Sequence, residues 1–521
     1  MSQMLKSSGA TAAATLLSRV LGLVREIVYA NFMGTSWVAG AFALAFQIPN
    51  LFRRLLGEGA LTAAFIPVFK LKEKTEGEEA MWRAANAVIS GLLVAASIIV
   101  LLGVLGISFA LGVIHFDEAG TVLMLQLLRV MFPYLLLVCL AAVCMGMLNA
   151  RGHFFIPALG AALLNVVMIA SVYFLAPRLG TKPEEQVFGL AIGVLLAGAA
   201  QALFQMPLLW REGFNYRWLK PWGDPAVRQV VKQMLPATVG VAAFQINVML
   251  ASGFAFAIEP QIVAAFGYAV RLMELPQGVF GISLAMYLLP TLSGLAAEKK
   301  LPEFRTTLRD GLGYLLFINL LATVLLIVLA EPIIRLLFER GEFDALATQR
   351  VTNGLIALAP GLLAFSGVNI FARAFYALGD TKTPMKISVF CLVINALLTL
   401  PMVWFLREAG LGLANTATAF MNVSLLAFAL RKKLSRLDLN ELLKPAAALL
   451  FCGALAGLFA WGTSTLWEQQ MGHAKFWSKA GAVFVPMAVA ALIYFAAAFA
   501  LPMRLPFAQD FVTLLRRRLK R

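Results

Sequence analysis

Two stretches decide how this chain folds: residues 131–160, MFPYLLLVCLAAVCMGMLNARGHFFIPALG, and residues 358–387, LAPGLLAFSGVNIFARAFYALGDTKTPMKI. Both are apolar over a length that can cross the roughly 30 Å hydrocarbon layer of a bilayer as a helix of about 20 residues. They also match. Pro133 and Pro360 lie 227 residues apart, and so do Pro157 and Pro384. A second pair, AFIPVF ending at Phe69 and YLLPTL ending at Leu292, has its prolines, Pro67 and Pro290, 223 residues apart. The pattern predicts an internal duplication whose two copies run in the same direction across the membrane. Duplicated halves of this kind are the plan of secondary transporters, whose sites lie between the repeats and work by alternating access.

Working outward, the rest of the chain continues the pattern. Of its 521 residues, 61% are hydrophobic and 13% charged, against about 25% charged in soluble domains. That excludes a soluble enzyme, which has no means of wetting its surface with so few charges, and it excludes a disordered chain. Fourteen apolar windows follow: 9–33, 37–57, 86–112, 122–149, 154–176, 187–209, 233–258, 262–292, 310–330, 352–377, 385–406, 410–430, 445–466 and 480–502. The expected fold is an all-α polytopic membrane protein with 14 transmembrane helices: two six-helix lobes related by the internal repeat, plus two C-terminal helices. In domain terms this reads as an N-terminal lobe over 1–210, a cytoplasmic linker over 211–232, a C-terminal lobe over 233–431, the added helix pair over 432–503, and a basic tail over 504–521.

Lys and Arg outnumber Asp and Glu by 43 to 27. With the N-terminus in the cytoplasm, 28 of the basic residues fall on inner segments and 8 on outer ones, the bias that orients membrane proteins. Both termini are therefore expected in the cytoplasm of a bacterial inner membrane. The C-terminal LLRRRLKR reads as a short amphipathic helix on the anionic inner leaflet, or simply as a topology signal. Arg19 and Arg25 interrupt the first apolar stretch and no small-residue cleavage site follows, so it reads as a retained span rather than a signal peptide. Cys139, Cys144, Cys391 and Cys452 sit in apolar runs without metal or disulfide spacing, and the three histidines form no HExxH. There is no GxxxxGK[ST], hence no built-in ATPase, and no aromatic-studded basic domain of the kind that binds nucleic acid. The Gly189/Gly193 and Gly453/Gly457 spacings read as close helix packing.

Seven arginines remain inside the windows: Arg19, Arg25, Arg53, Arg54, Arg129, Arg271 and Arg373, against the carboxylates Glu26, Glu58 and Glu274. Burying one arginine in mid-membrane costs about 2.5–3.5 kcal/mol on insertion scales. Either water fills a cavity or an anionic ligand supplies the missing charge, and the planar guanidinium favours phosphate or carboxylate. Arg19 and Arg25, six residues apart, lie about 9 Å apart along a helix with faces differing by about 120°, so both can reach one cavity. Pro49 and Asn50, ahead of Arg53, Arg54 and a Gly-flanked Glu58, suggest a broken helix. Arg271 and Glu274 share a helix face. Arg54, Arg129 and Arg373 read as arginines that snorkel to the interface.

These residues carry a family resemblance. SRVLGLVRE at 18–26, IPNLFRRLLGEGALTAAFIPVF at 48–69, RLMELPQGVFGISLAMYLLPTLS at 271–293 and FYALGDTKTP at 375–384 resemble the MurJ (MviN) family of lipid II flippases, within the multidrug/oligosaccharidyl-lipid/polysaccharide exporter superfamily. The resemblance implies two six-helix lobes around a cavity, two further helices forming a groove for the polyprenyl tail, and undecaprenyl-pyrophosphate disaccharide-pentapeptide as the substrate. It implies that Arg19, Arg25, Arg53 and Arg271 bind substrate, and that Ser18, Glu26, Asn50, Glu58 and Glu274 are gate or cavity positions. Pro157 falls at a matching place as well. The chain departs from the family at Gly40 and Val270, where acidic residues are common, and at Gln47, where lysine is.

No metal or organic cofactor is expected. The membrane potential, worth about 2.3 kcal/mol per charge per 100 mV, or an ion gradient is the expected driver. Lipid II, membrane lipids and cell-wall synthesis proteins are the expected partners, without nucleic acid or an ATPase subunit. Three other readings exist. An exporter of another lipid-linked oligosaccharide would share the architecture without the RRLLGEGA and RLMELP signatures. A multidrug cation antiporter would need an acidic cavity. A membrane scaffold would need no inward arginines.

Overall fold

A computed structural model describes residues 2–53 and 61–500. Arg54, Glu58 and the basic tail lie outside the described residues, as do the side chains of 2–13, 15, 62, 63, 236, 237, 239–241, 243 and 244. The described residues are helical, with connecting turns and no strand. The chain divides into two units at Ala264 and Ala265.

The first unit holds α1 (Ser2–Met33), α2 (Trp37–Phe52), α3 (Thr62–Glu76), α4 (Glu78–Val113), α5 (Ala119–Met131), α6 (Tyr134–Ala150), α7 (Phe155–Phe174), α8 (Pro183–Arg211) and α9 (Pro225–Ile258). α9 packs here, against α2, α3 and α4. A tight core of Phe65, Phe69, Met81, Met147 and Phe214 joins α3, α4, α6 and the segment after α8. Gly189 and Gly193 explain the contact of α8 with the α7 region. A Cβ on Gly189 would stand 2.6 Å from the Ala176 backbone nitrogen, and one on Gly193 would stand 2.3 Å from Ser171 Oγ. Lipid tails are as apolar as leucine, so membrane helices gain from close backbone approach, which small residues permit.

The second unit takes up α10 (Pro260–Pro276), which spans the division, then α11 (Ser283–Ala297), α12 (Leu301–Val328), α13 (Ala330–Leu337), α14 (Ala345–Leu358), α15 (Gly361–Ala377), α16 (Lys382–Leu434), α17 (Leu443–Met471) and α18 (Phe476–Ala500). Gly453 and Gly457 of α17 face Leu320 and Val324 of α12, again at packing distance. Tyr494 of α18 is fully buried and its hydroxyl donates to the Phe317 carbonyl at 2.8 Å. The two C-terminal helices are thereby fastened to α12.

The duplication is written into the backbone. α5 and α6 meet at Pro133 with a bend of 43°, and α14 and α15 meet at Pro360 with a bend of 43°. Proline lacks the N–H that would continue the ladder and its ring clashes with the carbonyl four residues back. After each second helix a glycine takes a left-handed conformation, Gly152 at φ 89° and Gly379 at φ 73°. The next N–H then closes the same turn, His153 onto the Leu148 carbonyl and Asp380 onto the Phe375 carbonyl, both at 2.9 Å. Such a turn needs a residue without a Cβ penalty. Pro157 and Pro384 are each the third residue of the helix that follows. Pro67 and Pro290 both lie inside helices.

Eight of the described helices are long and apolar enough to cross a membrane, and ten spans result when each bent pair counts as one. α16 is two helices rather than one. Arg407 leaves the helical region at φ 52°, ψ −126°, and Asn395 Nδ2 donates to Thr418 Oγ1 at 3.0 Å across 23 residues of sequence. In a straight helix those residues would be about 34 Å apart, so the chain doubles back, at the place where the apolar windows 385–406 and 410–430 meet. Gly410 permits the reversal, since a Cβ there would stand 2.1 Å from the Met402 carbonyl.

Pro49 and Asn50 do not break α2, which runs through both to Phe52. The departure comes later. The backbone is π-helical at Arg53 and again at Leu61, and the Arg53 N–H bonds both the Asn50 and Pro49 carbonyls. A proline disturbs hydrogen bonding on its N-terminal side, yet α2 is continuous through Pro49. The second unit carries a π-helical turn at a comparable place, Gln277–Ile282, directly after Pro276.

Candidate functional site: an arginine bound into α1 and α7

α1 carries a pair of charges set among apolar residues. Arg25 and Glu26 side chains are each 13% exposed, and Arg25 Nη2 donates to Glu26 Oε1 at 2.5 Å. Arg25 Nη1 donates to Asn165 Oδ1 of α7 at 3.1 Å. Its guanidinium also lies 5.6 Å from the centre of the Tyr29 ring, close enough for a cation–π attraction. The Asn165 amide in turn donates to the carbonyls of Ser18 and Ala161, both at 3.1 Å. Ser18 therefore joins the cluster through its backbone. Asn165 is 6% exposed and stitches α1 to α7, while Gly22, at 3.7 Å from a would-be Cβ to Asn165 Nδ2, leaves room for it. One donor remains: Arg25 Nε is buried without an acceptor.

Arg19 stands apart on an exposed part of α1, so the two arginines of this helix are not brought to one another. At the end of α2, Arg53 Nε donates to Asn50 Oδ1 at 2.7 Å, both residues being half-buried. In the second unit, Arg271 Nη1 donates to Glu274 Oε2 at 2.7 Å, with side chains 45% and 48% exposed. Arg129 is exposed, and Arg373 is half-buried over Tyr376. These side chains offer arginine donors, two of them paired with a carboxylate, Arg25 with Glu26 and Arg271 with Glu274. Among the described residues no group of His, Cys, Asp or Glu could hold a metal ion.

Gly40 has a definite reason to be glycine in this structure. A Cβ there would stand 2.0 Å from the Pro260 carbonyl oxygen, so an acidic side chain at this position would require the start of α10 to move away.

Several polar groups escaped the sequence reading. Asn165 is the chief one. In the second unit Arg350 pairs with the buried Glu408, next to the reversal at Arg407, and the fully buried Asn319 donates to Ser366 at 2.8 Å. Outside the spans, Arg151 binds Glu73 at 2.8 Å, Glu78 at 3.1 Å and Glu212 at 2.8 Å, gathering the ends of α3, α4 and α8. Hydrogen bonds from Lys70 and then Arg151 hold the Glu73 carboxyl below the usual range. Arg151 and then His153 do the same for Glu212. Lys433 and the Thr383 N–H hold Asp380 far below it. The only signal in the sequence was a polar residue alone in an apolar run, which marks a place without naming its partner.

Helical halves related by duplication, broken at matched prolines and carrying arginine inside apolar helices, define a membrane transporter. The family model for lipid II flippase MurJ matches residues 29–479. The chain is similar to a probable lipid II flippase MurJ of Vibrio cholerae, at 36% identity over 81% of this chain and 82% of that one. It is likewise similar to a lipid II flippase MurJ of Burkholderia cenocepacia, at 34% identity over 80% and 82%. Among solved structures, one of lipid II flippase MurJ in an inward closed conformation superposes with TM-score 0.77 at 22% identity, over 96% of this chain and 99% of that one. An inward-facing multidrug resistance MATE family transporter of the MOP superfamily gives 0.67 at 16% identity, over 82% and 98%. The chain belongs to the MurJ family.

Proposed function

We infer that this protein flips lipid II, the lipid-linked peptidoglycan precursor, from the inner to the outer leaflet of the bacterial inner membrane by alternating access. It is a transporter and not an enzyme. The observation that carries the reading is family membership over most of the chain, and the arginines in apolar helices agree with it. A pyrophosphate is a doubly anionic group whose paired oxygens can accept both N–H donors of the planar guanidinium fork. Arg19, Arg25, Arg53 and Arg271 contact that group during transport, with Ser18, Glu26, Asn50, Glu58 and Glu274 forming gate or cavity positions. Both termini face the cytoplasm, and the membrane potential or an ion gradient resets the carrier. Arg25 is held by Glu26 and by Asn165 of another helix before substrate arrives.

Complementation of a bacterium depleted of its own flippase tests this. The wild-type chain restores growth, and Arg19→Ala, Arg25→Ala and Arg271→Ala variants expressed in the membrane at matched levels do not. Failure of a correctly inserted wild type would remove the lipid II assignment. Full growth with all three variants would remove the arginine contacts and leave the assignment standing.

A further inference from the structure

The segment joining α8 to α9, Glu212–Asp224, reads in the sequence as part of a linker. In the structure it is a strap fixed along α4. Asn86 Nδ2 donates to the Asn215 carbonyl at 3.0 Å, and Asn86 Oδ1 accepts the Arg217 N–H at 3.3 Å. Ser90 Oγ accepts the Leu219 N–H at 3.3 Å and lies 3.3 Å from the Tyr216 hydroxyl. Asn86 and Ser90 are buried, so two side chains inside the helix bundle hold the strap's backbone. The Phe214 ring lies 5.5 Å from that of Trp82, tilted by 52°, and Pro221 covers Gly91 at 3.2 Å from a would-be Cβ. Gly213 and Gly223, at φ 89° and 86°, turn the chain onto and off this track.

What the strap shows outward differs in kind from what it buries. Trp218 and Trp222 are 57% and 64% exposed. Arg211, Arg217, Lys220, Arg228 and Lys232 are exposed around them. The acidic residues nearby are occupied, Glu212 by Arg151 and His153 and Asp224 by the first N–H groups of α9. The strap also begins at the end of α8, a helix long and apolar enough to cross a membrane, and on the membrane reading of the fold that end lies at headgroup depth. Tryptophan beside unneutralised cations at that depth is the chemistry of the membrane interface, where indole rings sit at headgroup level and Lys and Arg attract anionic lipid.

We propose that the strap is a docking surface for anionic phospholipid headgroups, with Arg217 and Lys220 as the phosphate contacts and Trp218 and Trp222 as the interfacial anchors. The pinning by Asn86 and Ser90 presents them as a fixed site. The proposal rests on the membrane reading of the fold and is independent of which lipid is transported.

The probe is phosphatidylglycerol added to the full-length chain in detergent, with bound lipid counted by native mass spectrometry and phosphatidylcholine as the neutral control. Wild type is expected to retain phosphatidylglycerol in preference to phosphatidylcholine, with binding that weakens as salt rises. Each base neutralised, in Arg217→Gln and in Lys220→Gln, is expected to lower retention about fivefold, and Arg217→Lys to recover most of it. In vesicles containing brominated phosphatidylglycerol, quenching of tryptophan fluorescence should fall in the Trp218→Phe/Trp222→Phe variant. Equal retention of the two lipids by wild type would overturn the proposal. So would an unchanged preference in the Arg217→Gln/Lys220→Gln variant, which keeps the buried pinning residues and shows by unchanged melting that it is folded.

Discussion

Arg25 and Arg271 are the same residue in two settings. Arg25 is tied to Glu26, to Asn165 on another helix and to the face of Tyr29, with its side chain 13% exposed. Arg271 is bonded to Glu274 on its own helix, with nearly half of its side chain exposed. An arginine held from several sides is preorganised, since its geometry is set before a ligand arrives, but it has become part of the packing. An arginine on an exposed face keeps more freedom and contributes little to the fold. The two arginines, which the repeat does not pair, are therefore expected to differ in how much of their work is structural.

The comparison predicts a split between stability and transport. Arg25→Ala is expected to abolish complementation and to lower unfolding stability by about 3 kcal/mol, because Glu26 loses its partner in an apolar setting. Arg271→Ala is expected to abolish complementation with stability within about 0.5 kcal/mol of wild type, as for exposed substitutions generally. Melting of the purified proteins in one detergent separates the two, and equal losses would break the comparison. Gly40→Ala comes next, since its new methyl meets backbone rather than a movable side chain. Its expected cost is about 1–3 kcal/mol, and an unchanged melting temperature would show that α2 and the start of α10 part readily. Asn165→Ala removes one bond to Arg25 and the stitch to α1 while leaving the Glu26 pair, at a cost of about 1 kcal/mol. A larger loss would mean that Asn165, rather than Glu26, positions the arginine.

The smallest effect concerns pH. The folded-state values of Glu73 and Glu212 are depressed by Lys70, Arg151 and His153. Their contribution to stability is present above the ordinary carboxylate value of about 4 and is lost as pH falls through the depressed values. Melting temperature is expected to hold between neutral pH and about 5 and to decline below about 4. The decline should be shallower in Arg151→Gln, and identical curves would show that the network is not coupled to folding.

The fold was legible where a residue type leaves the backbone no choice. The matched prolines Pro133 and Pro360 marked the two bends, and the windows meeting near Arg407 are too long together for one span, whereas the turns at Gly152 and Gly379 had no such signal. Arg25, Arg53 and Arg271 stood out as candidates because charge in an apolar run is costly. Their partners were not legible. Asn165 lies 140 residues from Arg25, and one polar residue in an apolar helix does not reveal which helix it faces. That Arg25 bonds Asn165 while Arg19 stays exposed was not legible either, because helix geometry gives the faces of the two arginines and not their partners. The strap was read as linker because aromatic and basic residues in a connection look solvent-facing, and Asn86 and Ser90, which fix it, sit on a distant helix. The break expected at Pro49 and Asn50 is absent because a helix tolerates one missing N–H, and the backbone departs from α-helix only at Arg53.

Translocation in reconstituted vesicles tests the central claim most directly. Fluorescent lipid II is placed in the inner leaflet and its appearance outside is followed for the wild type, Arg25→Ala and Arg271→Ala. The account predicts transfer by the wild type above protein-free vesicles, and background transfer by both variants, including an Arg271→Ala protein that melts like the wild type. Transfer by both variants at the wild-type rate, or none by a folded wild type under an imposed membrane potential and ion gradient, would contradict it.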